Sequence, residues 1–157
     1  VGPVGAGGCV SVSRCWGGCG SASPSIPVIG LGEDGVGGLS PAARALVDGA
    51  EVLIGGERHL DKAPDVQAER LDWSAGFDAT LDEIEARFGQ RIVVLASGDP
   101  LHFGVGATLI RRFGADQVFV LPAPGAVSLA CVRMGWSVPD IQVVTIHGRP
   151  IDCLSLH

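Results

Sequence analysis

The chain has 157 residues, of which 46% are hydrophobic and 18% charged; 24 are glycine, none is tyrosine, and the formal net charge is −6. So apolar a chain is not disordered, and its acidic balance excludes a general basic surface for nucleic acid, although a few local cations could still hold a small anionic ligand. Cys9, Cys15, Cys19, Cys131 and Cys153 are odd in number, follow neither a disulfide framework nor a zinc-ligand spacing, and point to no metal site. The start Val1-Gly2-Pro3 shows no basic n-region of a secretory signal, and no apolar run free of Gly and Pro is long enough for a membrane span, so a cytoplasmic protein is expected. The first residue is Val1 rather than Met, which suggests a fragment or a processed chain. Arginine strongly outnumbers lysine, of which Lys62 is the only one, and that excess reads as coding bias rather than chemistry.

Residues 1–24, crowded with Gly and Ser and without helical or strand period, read as a disordered or extraneous leader. Ile26 to Leu31 is a short apolar run ending near glycine, hence a buried strand. Ser40 and Pro41 supply an N-cap and a first helical residue for a helix reaching Gly49. A strand over 51–54, a short helix over 57–61 and a loop with a short strand near 69–71 follow. Phe77, Leu81, Ile84 and Phe88 share one helical face, with Gly89 as the stop. Arg91 to Ala96 is the strongest strand, apolar enough for burial on both faces as in a parallel sheet. A helix over 103–113, a strand over 118–121, a helix over 125–134 and a last strand over 142–146 complete the series. This alternation predicts βαβ units in a three-layer α/β domain with a mainly parallel sheet, whose ligands bind at loops after the strands.

Four such loops carry candidate chemistry. Gly30-Leu31-Gly32-Glu33-Asp34-Gly35 lacks the full dinucleotide spacing and the Lys-Ser/Thr ending of a phosphate loop, and its two carboxylates would repel phosphate; a tight turn needing positive φ is the simpler reading. Arg58 and His59, beside Gly55-Gly56, could hold a carboxylate or merely begin an exposed helix. In Ser97-Gly98-Asp99-Pro100, Gly98 allows a ligand close to the backbone and Asp99 offers an acceptor, although Asp99 could equally cap a helix. The backbone N–H groups around Gly104 and Gly106 appear as donors for ligand oxygens. Pro122-Ala123-Pro124-Gly125-Ala126-Val127-Ser128 has small side chains that leave room for a flat ligand, or forms a plain strand-to-helix turn.

Taken in this order, the loops resemble the tetrapyrrole methylase family. Ser-Gly-Asp-Pro at 97–100 is similar to its Gly-Asp-Pro loop, and Pro124-Gly125-Ala126-Val127-Ser128 to its later Pro-Gly-rich loop. Gly-Glu-Asp-Gly at 32–35, Gly-Gly-Glu-Arg-His-Leu at 55–60, Leu-Ala-Ser-Gly-Asp-Pro at 95–100, Phe-Gly-Val-Gly-Ala-Thr-Leu at 103–109 and His147-Gly148-Arg149-Pro150 resemble the precorrin-6Y methyltransferase branch. The resemblance covers about residues 26–150. It implies an N-terminal methylase domain over 25–150, with 151–157 as the truncated start of a second α/β domain that is otherwise missing.

The resemblance further implies S-adenosylmethionine as cofactor and methylation of C5 of a precorrin macrocycle in cobalamin biosynthesis. A separate domain or subunit would methylate C15 with decarboxylation, and the complete protein would be a homo-oligomer. Gly98, Asp99, Phe103, Gly104, Val127 and Ser128 are then expected to bind the methyl donor. Gly32, Glu33, Asp34, Arg58 and His59 fall to the macrocycle, and His102 to either. The alternatives are another methyltransferase of the same fold and a non-catalytic truncated fragment.

Overall fold

The computed structural model describes residues 25–145; the leader, His147–Pro150 and residues 151–157 lie outside it. Five strands form one sheet: β1 (Ile26–Leu31), β2 (Val52–Ile54), β3 (Glu69–Leu71), β4 (Ile92–Ser97) and β5 (Val118–Leu121). Their order is β3-β2-β4-β1-β5, and every pairing among them is parallel. The helices are α1 (Pro41–Asp48), α2 (Glu57–Asp61), α3 (Phe77–Ala86), α4 (Val105–Phe113) and α5 (Ala126–Met134). None is long and apolar enough to cross a membrane.

Strand side chains alternate between two cores, and this produces the three layers. Ile29, Leu53, Val93 and Leu95 point to one face, where Ala43, Leu46 and Val47 of α1 and Leu60 of α2 cover them. Val28, Ile54, Ile92 and Val94 point to the other, beneath Leu81 and Ile84 of α3 and Leu109 of α4. Each such Leu or Ile, fully buried, contributes about 1.5–3 kcal/mol. Ser40 caps α1 as expected, its side chain accepting from Ala43 N at 3.2 Å.

This arrangement fixes where a ligand can enter. β1 and β4 are neighbours, yet the chain leaves β1 toward the α1 face and leaves β4 toward the α4 face. The two connections part, and a crevice opens between them at the carboxyl ends of the strands.

Three expectations need correction. The apolar run beginning at Gln142 is not a strand over 142–145, the part that is described; it pairs with neither edge strand, β3 nor β5, and Val143, Val144 and Thr145 line the crevice instead. The helix expected from Phe103 starts at Val105, because Phe103 has φ +56 and Gly104 is the N-cap. The four-residue apolar face of α3 is also too long: Leu81 and Ile84 are buried, but the helix ends at Ala86, ahead of Gly89. Phe77 instead stacks on Trp73 and Phe88 packs edge-on against Phe113.

Candidate functional site

A cleft of about 460 Å³ occupies the crevice. Its floor is built by glycines that let three loops meet. A Cβ on Gly30 would lie 1.8 Å from Gly98 O and 2.7 Å from Ala123 N, so no larger residue fits there. Gly98 N donates to Leu31 O and Ala123 N donates to Gly98 O, each at 2.9 Å. Gly98 itself has φ +53, and a Cβ on it would stand 2.8 Å from Gly125 Cα. The polar backbone of Gly98 is thus spent within the protein, and its close approach is to the loop after β5.

Asp99 follows at the rim, where its Oδ1 accepts from Leu101 N at 2.9 Å in a local turn. Gly104 and Gly106 serve Pro100 rather than the cleft. A Cβ on either would come within 2.6 or 2.8 Å of Pro100 O, and Gly106 N already donates to that oxygen at 2.9 Å. The Gly106 N–H is therefore not an open donor for ligand oxygens. Phe103 carries strained backbone, since positive φ in a bulky residue is costly, and its exposed ring packs 4.5 Å from that of His102 at the cleft.

At the other end, α2 supplies Arg58 and His59, and its C-cap residue is Lys62. His59 packs against Gly55 and Gly56, where added Cβ atoms would sit 3.3 Å from its atoms. Its Nε2 lies 2.7 Å from Ser97 Oγ at the end of β4, and its buried Nδ1 has no partner among the described residues. Burial, together with the nearby cations Arg58 and Lys62, holds the imidazole below its ordinary pKa. Lys62 Nζ donates to Gly32 O at 3.1 Å and lies 3.6 Å from the almost fully exposed Glu33 carboxylate. In the loop between them, Gly35 has φ +57 and its Cβ position abuts Lys62, in agreement with a tight turn.

Of the expected site residues, Gly32, Glu33, Arg58, His59, Gly98, Asp99, His102, Phe103 and Val127 come together around this cleft. Ser128 lies in an adjoining groove shared with Asp99, His102 and Val127. Asp34 stands outside, at the N-cap of a 3-10 turn over Gly35–Gly38, and Gly104 lies beneath Pro100. Sequence reasoning missed Ser97 and Lys62. Lys62, at the C-cap of α2, stands four residues after Arg58, and that spacing was a usable signal for the two cations lining one cleft.

The tetrapyrrole (corrin/porphyrin) methylases as a family match residues 25–154. The chain is 46% identical over 136 residues to a precorrin-6Y C(5,15)-methyltransferase [decarboxylating] of Sinorhizobium sp, covering 86% of this chain and 33% of that protein. It is 40% identical over 124 residues to a cobalt-precorrin-7 C(5)-methyltransferase of Salmonella typhimurium, covering 79% and 62%. The chain therefore spans about a third of one relative and under two thirds of the other. A solved precorrin-6Y methylase of cobalamin biosynthesis from Archaeoglobus fulgidus superposes with a TM-score of 0.62 at 27% identity, over 79% of this chain and 65% of that one. The parallel sheet, the crevice between β1 and β4 and the family match along most of the sequence agree: this chain belongs to the tetrapyrrole methylases.

Proposed function

We propose that this chain is the N-terminal part, over about 25–150, of an S-adenosylmethionine-dependent C-methyltransferase of cobalamin biosynthesis that methylates C5 of a precorrin. The observation that carries the reading is the division of the cleft. Arg58 and Lys62 make one end cationic, suited to the carboxylates of an acidic macrocycle. Asp99, Pro124, Ala126 and Val127 make the other end acidic and apolar, suited to a cationic donor bearing hydroxyls and a flat base. A cleft of about 460 Å³ is within the roughly 300–1,000 Å³ of small-molecule sites. The activities of the two relatives support the same reaction.

S-adenosylmethionine supplies an electrophilic methyl group on a sulfonium. Asp99 accepts hydrogen bonds from a ribose hydroxyl or the ammonium group, Gly32 leaves open space at the floor, and Val127 and Phe103 exclude water. Gly98 and Gly125 hold the loops after β4 and β5 in register, so that macrocycle and donor meet in line. Positioning of this kind can supply about 7–11 kcal/mol of barrier lowering. A second domain completes the cleft, and C15 methylation with decarboxylation belongs to a further domain or subunit. Calorimetric titration of the full-length protein with S-adenosylhomocysteine tests the donor end. Saturable binding abolished by crowding the cleft with Val127→Trp is expected, and a folded protein that fails to bind it refutes the reading.

A second reading, a non-catalytic piece that folds, is favoured by one observation. Leu129, Val132, Met134, Trp136 and Val138 leave an apolar surface exposed around α5.

A further inference from the structure

We propose that Ser97, Lys62 and Arg58 form a subsite for one carboxylate of the acidic ligand, and that His59 is the positioning residue that leaves the Ser97 hydroxyl free to donate to it. The inference rests on the proposed function and assigns a role to two residues that the sequence did not single out.

It begins with the buried, unpartnered Nδ1 of His59. A neutral imidazole carries one proton. On Nδ1, that proton would be a buried N–H without an acceptor. On Nε2, it leaves Nδ1 a bare lone pair, and unsatisfied acceptors are better tolerated than unsatisfied donors. The Nε2–H tautomer is therefore favoured, and across 2.7 Å it donates to Ser97 Oγ. With Oγ accepting from His59, the serine's own proton is left over, and Ser97 lines the cleft. A doubly protonated ring would bury an unsatisfied Nδ1–H, and it would face Arg58 and Lys62 on its own helix. Both effects keep it neutral, in the direction its pKa is displaced.

Lys62 supplies the charge. Its ammonium has three donors, of which Gly32 O takes one. Glu33, at 3.6 Å and 96% exposed, is a weakly held partner that an incoming carboxylate can displace. Arg58 lines the same end. An oxygen anion here meets a neutral hydroxyl donor, an ammonium and a guanidinium, and among the described residues the carboxylates lining the cleft are the displaceable Glu33 and Asp99 at the rim.

The test is an absorbance titration of the full-length protein with precorrin-7, alongside calorimetry with S-adenosylhomocysteine. Ser97→Ala and Lys62→Met should each weaken macrocycle binding about tenfold or more, as expected for losing one hydrogen bond to a charged group. Affinity for S-adenosylhomocysteine should stay within twofold, and Ser97→Thr should restore macrocycle affinity. The ¹⁵N shifts of His59 should report the Nε2–H tautomer, a signature that a merely structural serine would not require. Unchanged macrocycle affinity in both variants, or an Nδ1–H tautomer, overturns the subsite while leaving the methyltransferase reading intact. A wild-type protein that binds no precorrin overturns both.

Discussion

Gly30→Ala isolates the step by which the fold makes its cleft. The new methyl carbon would fall 1.8 Å from Gly98 O and 2.7 Å from Ala123 N, both backbone atoms. Neither can rotate away, so the loop after β4 must retreat by about 1.5 Å to reach ordinary contact. That retreat endangers the two 2.9 Å hydrogen bonds holding the loop, Gly98 N to Leu31 O and Ala123 N to Gly98 O. Each contributes about 1 kcal/mol, and each buried group left unpaired costs about 1–3 kcal/mol more. With both bonds lost and one group of each left unpaired, a loss of roughly 4–8 kcal/mol follows, or about 8–32 °C in Tm for a chain of this size. Gly32→Ala is the matched control: no atom lies within 4 Å of its Cβ position, and it should stay within about 1 kcal/mol of the parent. Urea unfolding of the three proteins measures the difference. Equal midpoints for Gly30→Ala and Gly32→Ala would refute the claim that the meeting of the β1, β4 and β5 loops depends on a missing side chain.

Asp99→Asn keeps an oxygen for Leu101 N but removes the charge, so affinity for S-adenosylhomocysteine should fall by about 1.5–3 kcal/mol by calorimetry, and an unchanged value would remove Asp99 from the donor site. Phe103→Gly should leave stability within about 1 kcal/mol, since relief of the positive φ offsets the lost ring contact, while donor binding weakens; equal binding would mean the strained residue has no ligand role. His59 has a folded pKa below its ordinary value of about 6.5, so between those two values the unfolded chain binds more protons and stability falls as pH drops through the window. The loss should vanish in His59→Gln, where Arg58, Lys62 and Ser97 face a side chain that does not titrate, and a parent with flat stability from pH 7 to pH 5 contradicts it. If a second domain completes the cleft as proposed, residues 1–157 alone should turn over far more slowly than a version extended through that domain, because the donor would stay wet; equal turnover would place the active site elsewhere.

What the sequence disclosed was whatever depends on local pattern. The Ile-Val-Val-Leu-Ala run of β4, buried on both faces, could only be a central parallel strand, and Ser40-Pro41 announced α1 through its cap. The loops after β1, β2, β4 and β5 were legible as a site because parallel sheets bind ligands there. Features set by tertiary contact were not legible. The Gly104 and Gly106 pair looked like ligand donors because Pro100, the atom set they accommodate, is identified only by the folded loop. Residues 142–145 have strand composition, yet they join neither edge of the sheet and Val143, Val144 and Thr145 line the cleft, because tertiary context overrides strand propensity. Ser97 gains meaning only when His59, 38 residues earlier, reaches its hydroxyl.

The central claim is a methyl transfer to one carbon of a precorrin. Incubating the full-length protein with precorrin-7 and S-adenosylmethionine carrying a ¹³C methyl group, then reading the macrocycle by ¹³C NMR, tests it most directly. The account predicts a single new labelled methyl on C5, lost in a variant with Trp at Val127. Label at another carbon, or none from a folded protein that binds both ligands, would contradict it.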